Sequence, residues 1–167
     1  MDIVIRPVQT EEYEELGEIT ARAYLDDGLL DFGESDPYLG ELRDVAKRAA
    51  AAEVLVAEER GRLLGGVTFV PEAGPMADIA GPGEAEIRML AVDRAGRGRG
   101  AGEALVRACA ERARALGRER IVLSTQASMR TAHRIYERLG FVRTPERDWN
   151  PLPHLYDLTL LTYELTL

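Results

Sequence analysis

Hydrophobic and polar residues recur along this chain with two different periods, which predict strands and helices in turn. Apolar and β-branched runs predict seven strands, at positions 3–5, 54–58, 63–70, 84–92, 120–125, 141–143 and 158–167. Apolar residues three or four positions apart predict four helices, at about 10–23, 39–51, 101–116 and 131–139. This order predicts a mixed α/β fold. No linker or internal repeat interrupts residues 1–167, which are predicted to form a single domain.

The fourth predicted strand is followed by a turn that is dense in arginine and glycine and leads directly into a helix. The turn reads Arg97-Gly98-Arg99-Gly100-Ala101-Gly102. Glycines let the backbone curl tightly, and the start of a helix leaves unpaired N–H groups that carry partial positive charge. The turn therefore predicts a binding site for an anion such as a pyrophosphate.

Two other anion-binding motifs fit this turn poorly. A P-loop requires a lysine within the motif, and the single lysine of the chain is Lys47. The spacing Gly96-x-Gly98-x-x-Ala101 matches a dinucleotide-binding fingerprint. That fingerprint also requires an acidic residue at the end of the next strand, where this chain has Ser124-Thr125-Gln126. A nucleotide-binding protein is therefore the weaker reading.

A third template, Arg/Gln-x-x-Gly-x-Gly/Ala, is met by Arg97, Gly100 and Gly102. About 40 residues later, the segment 132–141 matches the pattern Ala-x-x-x-Tyr-Glu-x-x-Gly-Phe. With both motifs in this order, the chain resembles the GNAT superfamily of acetyl-CoA-dependent N-acetyltransferases. The resemblance implies a GNAT-like mixed sheet of about seven strands with four helices, splayed after the fourth strand, with acetyl-CoA bound in the gap.

The resemblance also assigns residues to the co-substrate acetyl-CoA. The arginines of the turn would reach the CoA phosphates, although an exposed Arg99 without a specific role is the alternative. Amides of the fourth strand would hold the pantetheine arm and the thioester carbonyl, at Leu90, Ala91 and Val92. Amides of the turn would hold the pyrophosphate, at Gly98, Arg99, Gly100, Ala101 and Gly102, next to Arg97.

Two residues match catalytic positions of the family. Tyr136 matches the tyrosine that protonates the departing CoA thiolate, and the alternative is a helix tyrosine packed on the core. Glu86, eleven residues before Arg97, matches a glutamate that takes a proton from the acceptor amine. The alternative for Glu86 is an ion pair with Arg88, and Glu84 is a weaker candidate for the base.

One position departs from the family pattern. Many members have an asparagine seven residues before the catalytic tyrosine, where this chain has Met129. Ser128, Gln126 or a water molecule would replace its contact with the pantetheine arm. His154 and Trp149 lie in a loop that often contributes to the acceptor pocket, and His133 is expected to be structural.

The predicted function is an N-acetyltransferase that moves an acetyl group from acetyl-CoA to an amine by direct attack in a ternary complex. The alternative is a non-catalytic CoA-binding sensor or interaction module on the same fold. The presence of both Tyr136 and Glu86 favours the enzyme. The acceptor is a small-molecule or peptide amine, and a homodimer is an option because the family often forms dimers.

Composition narrows the remaining functions. The formal net charge of −8 argues against nucleic-acid binding. Cys109, the single cysteine, falls on an apolar helix face, which predicts a buried structural thiol. Neither histidine has partners at metal-ligand spacing, so no metal is expected. No apolar stretch is typical of a signal peptide or a membrane span, so no membrane partner and a cytoplasmic location are expected.

The loop between the first two predicted helices is acidic. Residues 26–36 contain five carboxylates and no lysine or arginine. In the resembled family this loop lines the acceptor side of the cleft, so its charge predicts a cationic acceptor. The alternative is a solvated loop that keeps an acidic protein soluble.

Overall fold

The structure is a computed structural model that describes residues 2–152 and 158–167. The strands of these residues form a seven-stranded sheet. The strands lie in the order β1-β2-β3-β4-β5-β7-β6. Their bounds are β1 Ile3–Pro7, β2 Glu53–Glu59, β3 Arg62–Val70, β4 Glu84–Val92, β5 Arg120–Thr125, β6 Val142–Arg143 and β7 Leu161–Thr166. Neighbouring strands are antiparallel except β4 and β5, which are parallel. The predicted mixed sheet is confirmed.

The described residues form five α-helices, where the sequence predicts four. Their bounds are α1 Tyr13–Asp26, α2 Tyr38–Arg43, α3 Val45–Ala51, α4 Ala101–Ala115 and α5 Arg130–Arg138. The extra helix arises because the predicted second helix breaks at Asp44, whose ψ of 67° is not helical. The Asp44 carboxylate accepts the N–H of Lys47 at 3.1 Å and so begins a new helix.

Both faces of the sheet are covered, because strand side chains alternate between them. On one face α4 packs through Leu105 and Cys109, both fully buried, in a core that continues to α5. On the other face α1 and α3 pack on β2 through Leu16 and Val45. Cys109 is buried as expected, and burial raises the pKa of its thiol.

The sheet opens between β4 and β5. Pairing of these strands ends at Ile87 and Leu123, although β4 continues to Val92. Just beyond that point Met89 has a φ of 54°, and the register between β3 and β4 shifts opposite it. Such a bulge bends a strand and redirects its side chains. The predicted splay after the fourth strand is confirmed, and it separates the two strands at the centre of the molecule.

Candidate active site

Two cavities meet at the splay of the sheet. The first, here called the turn cavity, has a volume of about 590 Å³ and lies between the end of β4, the glycine-rich turn and α5. The second, the loop cavity, has a volume of about 450 Å³ and lies between the middle of β4, the loop after α1 and residues within 149–152 and 158–160. Tyr24, Leu29 and Met129 line both cavities. The two cavities therefore adjoin at these three residues.

The wall of the turn cavity is main chain at the start of α4. Gly98 and Gly100 have φ values of 78° and 84°, and a Cβ atom on either would meet no atom within 4 Å. The N–H groups of residues 98–100 donate to no backbone carbonyl in the part of the chain that the structure describes. The first N–H groups of α4 also lack helical partners, as at every helix start. This open backbone fits a phosphate group.

Cations outnumber carboxylates in the turn cavity. Among its described lining residues, four guanidinium groups, of Arg97, Arg130, Arg134 and Arg138, accompany two carboxylates, of Asp27 and Glu103. Arg138 pairs with Glu103 at 2.8 Å, whereas Arg130 and Arg134 have no ion-pair partner among the described residues. Sequence analysis missed these α5 arginines. Their signal is a spacing of four residues, which places side chains on one helix face.

The two arginines of the turn differ in their surroundings. Arg97 lines the turn cavity, and its two terminal nitrogens contact the two carboxylate oxygens of Asp27, each at 3.0 Å. Arg99 instead pairs with Glu59 on β2 at 2.6 Å and is not among the residues that line either cavity. The predicted phosphate contact therefore has support from position for Arg97 only.

The end of β4 forms the inner wall of the turn cavity, through Leu90, Ala91 and Val92. Beyond Ile87 this strand has no partner on the β5 side, so its edge faces the gap. An unpaired strand edge presents backbone N–H and C=O groups to whatever occupies the gap. These three predicted co-substrate residues are thus brought together with the glycine-rich turn in one cavity.

Glu86 lies in the wall of the loop cavity and is fully buried. Its Oε1 accepts the N–H groups of Asp78, Ile79 and Ala80 at 2.9–3.0 Å. Burial raises the pKa of its carboxyl group, and these hydrogen bonds oppose that rise. Arg88 pairs with Asp78 at 3.1 Å rather than with Glu86. Glu86 is therefore a carboxylate held by amides, with Oε2 less occupied than Oε1.

Comparison with known protein families identifies the family of this chain. Residues 13–141 match the model of the acetyltransferase (GNAT) family. This chain belongs to that family. Acetyl-CoA is the acetyl donor of GNAT enzymes.

Individual relatives agree with this assignment. The uncharacterized N-acetyltransferase YjgM of Escherichia coli (strain K12) is 34% identical over 107 residues, which cover 64% of this chain and 60% of YjgM. A putative acetyltransferase, YncA of Salmonella typhimurium, solved with acetyl-CoA, has a TM-score of 0.73 at 22% identity, covering 98% of this chain and 93% of its own. A GNAT acetyltransferase of Staphylococcus aureus Mu50 has a TM-score of 0.75 at 15% identity, covering 99% of both chains. The solved structures share the GNAT fold with this chain.

Tyr136, which matches the GNAT tyrosine, is buried among other aromatic rings. It is 3% exposed, and its ring lies 5.7 Å from the rings of Phe141 and Tyr163. Burial raises the pKa of its phenol, and the hydroxyl forms no hydrogen bond to any described residue. It is not among the residues that line either cavity.

Tyr24 lies outside the two GNAT motifs in the sequence. It is half-buried at the junction of the cavities, and burial raises its pKa too. Sequence analysis missed it, because it follows the apolar stripe of α1 by one residue and belongs to no motif.

Glu84, the weaker candidate for the base, has a structural environment. Its carboxylate accepts two hydrogen bonds from Arg147, one from Arg120 and one from the N–H of Gly81, all at 2.9 Å. Arg147, with help from the other donors, lowers the pKa of Glu84 to about 2. A carboxylate this acidic is a poor proton acceptor, so Glu84 is unsuited to act as the base.

Met129 occupies the position where many GNAT proteins have an asparagine, and it lines both cavities. The Met129 sulfur accepts a hydrogen bond from Thr125 at 3.5 Å, and Gln126 donates its side-chain N–H to the Leu29 carbonyl at 3.0 Å. Gln126 is thus engaged, whereas Ser128 lines the turn cavity. His133 lies 3.0 Å from the Gln126 carbonyl, in the structural role that was expected.

The acidic loop does not act as one unit. Asp27 lines the turn cavity with Arg97, while Asp36 is buried and accepts the N–H of Tyr38 at 2.9 Å. Asp31 lines the loop cavity, and Glu34 lines neither. Of the five loop carboxylates, those of Asp31 and Asp36 line the loop cavity, and the expectation of a cationic acceptor stays a prediction. The chain folds Asp27 toward the arginine turn, a contact across 70 residues.

The remaining expectations concern single residues and absences. Trp149 lines the loop cavity and donates its indole N–H to Ser124 at 2.9 Å. His154 lies outside the described residues. Within residues 2–152 and 158–167, no cluster of His, Cys, Asp or Glu has the arrangement of a metal site. No helix in the same residues has the length and apolar character needed to cross a membrane.

Proposed function

We propose that this GNAT protein acetylates an amine by direct attack on acetyl-CoA in a ternary complex, with the donor in the turn cavity and the acceptor in the loop cavity. The observation that carries the proposal is the junction of the two cavities at Tyr24, Leu29 and Met129. Opposite charge balance on the two sides gives it further support. Direct transfer requires donor and acceptor to meet in near-attack geometry, and the junction provides the place.

The turn cavity has the groups that a CoA molecule requires. Free N–H groups at 98–102 would hold the pyrophosphate, and Arg97, Arg130 and Arg134 would pair with the phosphates. The unpaired edge of β4 at 90–92 would hold the thioester carbonyl. Donors placed there stabilise the negative charge that develops on the carbonyl oxygen during attack.

Glu86 is the proposed proton acceptor for the amine. An alkylammonium has a pKa near ~10, so it must lose a proton before it attacks. The Glu86 carboxylate would take that proton directly or through a water, from the face of Oε2 that amides leave open. A raised pKa makes it a stronger base than an ordinary glutamate. Acetyl-CoA supplies the acetyl thioester: the C–N bond forms, the C–S bond breaks, and the thiolate leaves.

Two tyrosines are candidates to protonate the leaving thiolate. Tyr136 is supported by the family motif, and Tyr24 is supported by its position at the junction. A phenol with a raised pKa stays protonated at neutral pH, as an acid must before it donates.

Release of CoA thiol across a panel of primary amines, with mass spectrometry of the products, tests this function. We expect acetylated amine to form only when both substrates are present. Glu86→Gln, which keeps an oxygen for the three amides, should lower kcat while calorimetry shows unchanged CoA affinity. Binding of CoA without turnover on any amine would instead support the non-catalytic CoA sensor.

A further inference from the structure

The loop cavity has walls that are largely apolar and aromatic. Tyr24 and Tyr38 pack edge to face with their ring centres 6.3 Å apart, and Trp149 lies on the wall formed by the segment before β7. Aliphatic side chains fill much of the remaining described surface, namely Leu29, Leu30, Ile87, Met89, Met129, Leu152, Leu158 and Leu160. A cavity of this volume and lining is typical of sites for small, mostly hydrophobic ligands.

The charged groups of this cavity are nearly all carboxylates. Its described lining has five, of Asp31, Asp36, Glu41, Asp78 and Glu86, against one guanidinium, of Arg88. Arg88 pairs with Asp78, and Lys47, which lies outside the lining, pairs with Glu41 at 3.2 Å. Asp31, Asp36 and Glu86 have no ion-pair partner among the described residues, and their negative charge favours an ammonium group. Aromatic faces beside it add a cation–π attraction.

The single guanidinium of the described lining is not available to a ligand. Arg88 is 16% exposed at its side chain, contacts Asp78 at 3.1 Å and donates to the Met76 carbonyl at 2.8 Å. A ligand carboxylate would have to displace Asp78 and would then lie near Glu86. The ligand carboxylate and the Glu86 carboxylate would repel each other strongly, because the repulsion of like charges is greater when they are shielded from water.

We propose that the acceptor is a compact primary amine with an aromatic or aliphatic body and no carboxylate beside the amine. This rests on the proposed acetyl transfer. The ammonium end points to Glu86, and the body packs against the tyrosines and Trp149. A polyamine or an aminoglycoside fits less well, because its further charged or hydroxyl groups would lie unpaired against leucine and tryptophan side chains.

Matched amines test the proposal. We expect kcat/KM for 2-phenylethylamine to exceed that for phenylalanine, which adds only the carboxylate, by about 100-fold or more. Pentylamine should exceed 1,5-diaminopentane, which adds only a second ammonium, by about 10-fold. A preference for phenylalanine or for the diamine would overturn the proposal.

Binding without the donor separates failure of this inference from failure of the proposed function. We expect 2-phenylethylamine, and not phenylalanine, to raise the Tm of the protein without acetyl-CoA. If that shift occurs without turnover on any amine, the acetyl transfer fails while the cavity assignment stands. If other amines turn over and 2-phenylethylamine neither binds nor reacts, the cavity assignment fails alone.

A variant pair on the apolar wall adds a structural test. Leu30→Lys places a cation among the leucines, so it should lower kcat/KM for 2-phenylethylamine by about 10-fold or more and narrow its advantage over phenylalanine. Leu30→Met keeps the wall apolar, so it should change the ratio of the two substrates less than Leu30→Lys does. Val142→Lys, at a 58% exposed site on β6, makes the same charge change away from the cavity. An identical response of both substrates to Leu30→Lys, or the same response to Val142→Lys, would overturn the proposal.

Discussion

The two cavities are built by opposite means. The turn cavity contains distinctive backbone features, namely glycines at positive φ, a helix start and an unpaired strand edge, and arginines outnumber carboxylates in its described lining. The loop cavity is made of side chains from segments far apart in sequence, and carboxylates prevail over its one described arginine. Backbone recognition needs a short local motif, whereas side-chain recognition depends on which residues the fold brings together. In the proposed function, the turn cavity binds the donor that GNAT enzymes share, and the loop cavity binds the acceptor that is particular to this protein.

The wall of the loop cavity depends on buried charge. Glu84 binds Arg147, which also donates to the Ile79 carbonyl, and it accepts the Gly81 N–H. Glu84 and Glu86 therefore hold the segment 78–81 from two sides. Their carboxyl pKa values shift in opposite directions, because arginine partners lower that of Glu84, whereas burial, with the nearby charge of Asp78, raises that of Glu86.

The largest effect is expected for Glu84→Gln. The change leaves Arg147 with only the more distant carboxylate of Glu164, at 3.9 Å, in a site where Glu84 is 4% exposed, which should lower the free energy of unfolding by about 3 kcal/mol at pH 7. Denaturant unfolding measures this. Glu103→Gln is the matched control, since Glu103 also pairs with two arginines but on the surface of α4. We expect it to cost under about 1 kcal/mol.

The same variant should change the pH dependence of stability. The folded-state pKa of Glu84 is about 2, below the ordinary carboxyl value of 4.5. Its stabilising contribution is therefore complete above the ordinary pKa and is lost as the pH falls toward the folded value. The stability gap between the protein and Glu84→Gln should shrink between these two pH values. A gap that stays constant there would show that the carboxylate charge is not the source of the stability.

Much of the fold could be predicted from sequence, because the hydrophobic periods and the two motifs are local. β5 has the predicted bounds of 120–125. The break at Asp44 was not predictable, since the apolar spacing of α2 continues into α3. The bulge at Met89 also gave no signal, because a positive φ there is imposed by strand packing rather than by a glycine.

Part of the candidate site could likewise be predicted from the sequence, and part could not. The glycines of the turn and the end of β4 come together as predicted, because they adjoin in sequence. The Asp27–Arg97 pair joins residues 70 positions apart, and the position of Tyr24 depends on how α1 packs against β4. Contacts of this kind follow from tertiary structure, which periodicity does not encode.

Replacing each tyrosine tests how the junction works. If Tyr136 is the acid, Tyr136→Phe should lower kcat by about 100-fold, with CoA affinity unchanged, because proton transfer matters in the transition state. Stability should hardly change, since the hydroxyl has no hydrogen-bond partner among the described residues. Single-turnover kinetics and calorimetry measure the two effects. Full turnover in Tyr136→Phe, with the loss found in Tyr24→Phe, would transfer the role to Tyr24.

Gly100→Val should weaken CoA by about 30-fold or more, because a β-branched residue resists the left-handed conformation and fills the space over the turn. The φ of Gly100 is 84°, and an added Cβ meets no atom, so the space that it enters is open. Gly61→Val is the matched control, with a φ of 79° and similar open space, in the β2–β3 hairpin at a position that lines neither cavity. Calorimetry with CoA should show a loss in the first variant alone. Equal losses would mean that backbone strain, rather than the turn, affects binding.

The smallest effect is expected at the Asp27–Arg97 ion pair in the wall of the turn cavity. Arg97 is held by Asp27 through two contacts at 3.0 Å, and both side chains are more than 40% exposed. If Arg97 binds a CoA phosphate, that phosphate competes with Asp27. Asp27→Asn should therefore tighten CoA binding by about 2–5-fold, the range expected for a surface ion pair. The gain should decline as salt rises, because charges are screened over about 10 Å at 0.1 M.

Asp26→Asn, one residue earlier and lining neither cavity, is the control for net charge. Weaker CoA binding in Asp27→Asn would mean that Asp27 positions Arg97 for the phosphate instead of competing for it.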